Sequence, residues 1–239
     1  MRQLSISALI DKRNQIFINQ IQNSNFQINL LRSVNGQNYW SINVDIHGKS
    51  ATIYAGKKTD DINGFTHELL HIIQEINGQF SHLTLPTLIA MSKSPFRFIM
   101  TGELVGHINN VILHDRMIND YISQGFPKNK FVYDYYYKPK KTSTKKKDYV
   151  LTNLQKIDRN RLMQFLNLFF SYRFHPNESL KQYYFSEIIN KYNLTNSQLI
   201  TDLELLSSNW ENQTIVKNNH FFYNLLTCLD NWKLINNYS

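Results

Sequence analysis

The strongest constraint on the fold is a change of apolar period between residues 39 and 76. In "YWSINVDIH" (39–47), Trp40, Ile42, Val44 and Ile46 alternate with Ser41, Asn43 and Asp45. A period of two belongs to a strand with one face in a core. "HGKS" supplies a turn and "ATIYAG" (51–56) a returning strand, so a hairpin is expected. After the polar loop "KTDDING" the period lengthens. Phe65, Leu69, Ile72, Ile73 and Ile76 now share one side of a helix. Asp60 or Asp61 is placed to cap that helix, and Asn77-Gly78 to end it.

Around this unit the pattern is mostly helical. Residues 3 to 32 mix apolar side chains with Asn and Gln and read as helix. A second strong helix is expected from Arg97 to Ser123, stopping at Gly125. Past residue 149, four segments carry helically spaced apolar residues, and Thr195 with Gln198 forms a capping box for one of them. The fold class expected is α+β. A sheet-and-helix part fills residues 1–137, a Lys-rich linker or loop 138–149, and an all-helical part 150–239.

Composition narrows the function classes. With 42% hydrophobic and 13% aromatic residues in 239, the chain can bury a real core. Cys228 is the single cysteine, so no internal disulfide and no Cys-rich zinc module can form. Any metal must be held by His, Asp or Glu. The opening "MRQLSISALIDKRNQIF" lacks a signal-type apolar run, and no stretch approaches the roughly 20 apolar residues of a membrane span. A cytoplasmic protein is the expectation. The net charge of +8 falls to +2 once the six lysines of "KPKKTSTKKK" (Lys138 to Lys147) are set aside. Basicity is thus a local tract, which disfavours nucleic-acid binding.

"GFTHELLH" (64–71) carries the chemistry. His67 and His71 lie nearly opposite the apolar stripe, about 40° apart on the wheel, with Glu68 on the flank. A histidine inside an apolar stripe is usually a core residue; these two lie outside it. The remaining plain explanation is a solvated polar face. Imidazoles at i and i+4 can both reach one ion, and a carboxylate one residue on can face a water beside it.

"HELLH" on a helix that follows a strand resembles the zincin class of zinc metallopeptidases over residues 40 to 126. The resemblance implies Zn²⁺ on His67 and His71, Glu68 as general base, and the strand 51–56 beside an extended peptide or protein substrate. The extended metzincin pattern needs glycine and histidine where this chain has Gln74 and Asn77, which disfavours that branch.

A third ligand is expected from the second helix. Glu103, His107, Asn110 and His114 fall within about 60° of one another there. Glu103 would match the gluzincin arrangement. "NNVILHDRMINDYISQGF" resembles a segment of bacterial H-E-x-x-H proteins with a ligand near the position of His114, which ranks first. His107, Asn110 and Asp115 are candidates for orienting a ligand, and Tyr121, Tyr133 and Tyr135 to Tyr137 for stabilising an oxyanion. The activity implied is peptide-bond hydrolysis. The alternative is a non-catalytic metal-binding or regulatory protein whose C-terminal helices bind a partner.

Overall fold

The computed structural model describes residues 3–33, 40–78, 89–131, 149–151, 156–192, 197–211 and 218–236. The described residues form a three-stranded sheet, a two-stranded sheet and seven α-helices, a mixed α+β fold. The lysine tract, Thr195, Tyr133 and Tyr135 to Tyr137 lie outside the described residues. Among the described residues, no helix is long and apolar enough to cross a membrane.

The chain forms two compact units, and the cut between them does not fall at 138–149. The first comprises Met1–Phe80 with Arg116–Tyr133, the second Ser81–Asp115 with Asp134–Ser239. The cut passes through one continuous helix, α3 (Gly102–Ser123). A division by sequence composition has no means of seeing a helix that serves two cores.

In the first unit, helix α1 (Gln15–Asn23) leads to strand β1 (Gln27–Arg32). Helix was expected throughout residues 3 to 32, and β1 corrects that. Asn25 at φ 60 breaks the helix, since a left-handed residue turns the chain away from the α path. The hairpin forms as expected from β2 (Ser41–Asp45) and β3 (Ser50–Ala55), with Ile42 opposite Ile53 and Val44 opposite Ala51. β1 adds in parallel on the other side of β3, with Leu30 opposite Ile53. The strand order is therefore β1-β3-β2. β3 was expected to lie beside a substrate, yet both of its edges are hydrogen-bonded within the sheet. No backbone row of β3 remains for another chain.

Helix α2 (Ile62–Ile76) covers this sheet. Asp61 is its N-cap, its carboxylate accepting the backbone N–H of Asn63 at 3.0 Å, and Gly78 at φ +67 turns the chain after the last turn. Phe65, Leu69, Ile72 and Ile73 enter one core with Ile53, Leu30, Ile21, Met117 and Tyr121. Gly64 meets the indole of Trp40 directly. A Cβ there would stand 2.6 Å from Trp40 Cδ1 and 2.7 Å from Nε1. Buried Asn14 ties α1 to α2, its amide donating to Thr66 Oγ1 at 3.1 Å and to the Leu9 carbonyl at 2.8 Å.

The second unit is mainly helical, with one difference from expectation. Short strands β4 (Tyr149–Leu151) and β5 (Lys156–Asp158) pair before the helices begin. Helices α4 (Arg159–Arg173), α5 (Glu178–Tyr192), α6 (Ser197–Glu211) and α7 (Asn218–Asn236) follow. Phe170, Phe221 and Trp210 form an edge-to-face aromatic chain in their core, with centroids 5.6 and 5.4 Å apart. The helix expected from Arg97 starts at Gly102, because Pro95–Ile99 form a separate 3-10 turn capped by Ser94.

Candidate metal centre

The helix α2 is buried on almost every side, which removes the solvated-face explanation of its histidines. His67 is 1% exposed and Glu68 4%, while His71 is half-buried. His114 on α3 is 0% exposed. The ligand atoms of His67, His71 and His114 all lie within 4.8 Å of one another. Three imidazoles from two helices thus converge, two of them a turn apart.

The donor set can be tested against the geometry of an ion. Nitrogen ligands about 2.05 Å from a tetrahedral zinc stand roughly 3.3 Å apart. His67 Nε2 and His71 Nε2 are 3.2 Å apart, with their rings at 78° and centroids at 4.8 Å. That pair already spans one edge of the tetrahedron. The widest separation within the group exceeds that edge by at most about 1.5 Å, within reach of a ring rotation. Burial, and after it the neighbouring His71, hold the His67 imidazole well below its ordinary value. A neutral ring keeps the lone pair that a metal requires. The residues fit a divalent ion such as zinc, and three histidines do not by themselves select which one.

The other expected residues divide clearly. Glu68 is beside His67 in sequence and is not one of the three grouped side chains, as a base that does not ligate would be. Glu103 is exposed and lies eleven residues before His114, about 16 Å along the helix axis. It is not brought to the histidines. His107 turns to α4 instead, with Nε2 3.0 Å from Ser171 Oγ and 3.3 Å from the Asn167 carbonyl. Asp115 acts electrostatically on Arg173, which also pairs with Glu204 at 2.9 Å and Glu211 at 2.6 Å. Asn110 is half-buried one turn before His114. Tyr121 is engaged elsewhere, its hydroxyl donating to Asn63 Oδ1 at 2.9 Å, so it is not poised for an oxyanion.

Sequence reasoning missed Asn63 and Phe131. The Phe131 ring lies edge-on to both His67 and Tyr121, with centroids at 4.9 and 5.1 Å. Asn63 carried a legible signal, because 63, 67 and 71 repeat at i, i+4 and i+8. Phe131 carried none, since it reaches the site through a chain reversal after α3.

No family model, curated protein or solved structure matches the chain. The three histidines are a possible metal site on geometry alone.

Proposed function

We infer that the protein is a zinc-dependent hydrolase of peptide bonds. The observation that carries this reading is the convergence of His67, His71 and His114 with a carboxylate, Glu68, adjacent in the same helix. Zinc, when bound, supplies Lewis-acid polarisation and makes a neighbouring water more acidic. The chain's part is separate. His67, His71 and His114 would hold the ion through their ring nitrogens. Glu68 takes the proton of the attacking water and delivers it to the departing nitrogen, the general acid–base role.

A second reading is favoured by one specific observation. His67, Glu68 and His114 are almost wholly enclosed, as a metal holding two helices together for structure or regulation would be. Metal analysis with a peptide-library cleavage assay on wild type and Glu68→Gln separates the two. Hydrolysis predicts that Glu68→Gln keeps its metal and loses about 10²–10⁴-fold in rate. Stoichiometric zinc with no Glu68-dependent cleavage would establish the second reading.

A further inference from the structure

The metal ligands lie on a seam between α2 and α3 that continues past them. On α2 the seam carries Asn63, His67 and His71, one per turn, and on α3 it carries His114 and Tyr121, two turns apart. Moving from Asn63 to the two histidines advances about 6 to 12 Å along α2. From Tyr121 back to His114 the chain covers about 10 Å along α3. The two helices therefore run antiparallel, and the seam is built in layers. The outermost is the Tyr121 hydroxyl donating to Asn63 Oδ1 at 2.9 Å. Next comes Phe131, against Tyr121 on one side and His67 on the other. The histidines form the third.

Both ends of the outer layer are fixed. Asn63 is held by the N-cap, its backbone N–H and its side-chain amide both donating to Asp61 Oδ1 at 3.0 and 3.3 Å. Tyr121 is fully buried and stacks on Phe126 at 4.8 Å, and Arg13 lies 4.2 Å over the other ring. A hydrogen bond between two such fixed groups sets how far α3 is advanced along α2. A slip along the seam would displace His114 relative to His67 and His71 and loosen the geometry around an ion held by all three.

We propose that Tyr121 is a positioning residue for the metal centre: its hydroxyl, bound to Asn63, locks the register that brings His114 to the ion. The proposal rests on the metal-site reading. Its test compares wild type, Tyr121→Phe, Asn63→Ala, their double variant and Ile53→Val. Each is titrated with Co²⁺ and Zn²⁺ against a chromophoric chelator, and the visible spectrum of the cobalt form is recorded. Ile53→Val thins the same core on the central strand, away from the seam, and lowers the melting temperature by about 2–4 °C. It should bind both metals as wild type does.

Tyr121→Phe and Asn63→Ala should each weaken binding about tenfold and alter the cobalt spectrum, as loss of a group supporting a ligand does. The double variant should lose no more than either single one, because both changes cut one bond. Wild-type affinity and spectrum in Tyr121→Phe would overturn the proposal, as would additive losses in the double variant. Failure of the metal reading appears separately, as absence of metal uptake by the wild-type protein.

Discussion

His107 and His114 share one helix and nearly one angular position on it, yet their surroundings give them different chemistry. The His107 Nε2 stands between a carbonyl and a hydroxyl, both from α4. A carbonyl accepts and never donates, so the tautomer with its hydrogen on Nε2 is the one that can bond it. In that tautomer Nε2 has no lone pair for a metal, and the ring serves as a clip. His114 meets other imidazoles, whose nitrogens can present lone pairs to a shared cation. Burial alone does not make a histidine a ligand; the chemical type of the facing atom does.

The largest test of this contrast is metal retention. His67→Ala and His114→Ala should each weaken zinc binding by more than about 100-fold, beyond what supporting groups give. His107→Ala should keep its zinc. Equal losses in all three, read by metal analysis after dialysis, would erase the distinction.

Acid stability comes next. Burial pushes the His107 imidazole down to about 4, whereas the unfolded chain takes up that proton near 6.5. Unfolding between those values binds a proton. Stability is therefore complete above about pH 6.5 and falls as pH drops toward 4, by at most about 1.4 kcal/mol per pH unit. His67 shifts in the same direction, so denaturant midpoints of wild type and His107→Leu across this window isolate the share of His107. The replacement should flatten the slope.

The smallest effect belongs to the clip's partner. Ser171→Ala removes a hydroxyl at 3.0 Å but leaves the Asn167 carbonyl, so it should cost about 1 kcal/mol and lower the melting temperature by about 2–4 °C. Its zinc content should not change.

The same pair marks what a sequence can convey. The helical wheel placed Glu103, His107, Asn110 and His114 on one face, and that angular statement is sound. It carries no information about which neighbour stands at each height along the axis. One height offered α4, another the histidines of α2. The end of the motif helix at Ile76 was legible because Asn77-Gly78 is a local signal. Its start was expected at Phe65 and lies a turn earlier, at Ile62, directly after the Asp61 cap. β1 was not legible, since its identity depends on parallel pairing with β3 more than twenty residues later. A solvated polar side of α2 stayed open as the plain alternative for a similar reason: what covers it comes from distant parts of the chain.

The contact between Gly64 and Trp40 has a consequence for how this sequence can vary. Inside helices alanine normally outranks glycine by nearly 1 kcal/mol. At position 64 the ranking reverses, because the methyl group would overlap an indole. Glycine is retained for its volume rather than its backbone freedom. Residues 40 and 64 therefore form a linked pair, and a larger side chain at 64 becomes tolerable only when the one at 40 shrinks with it.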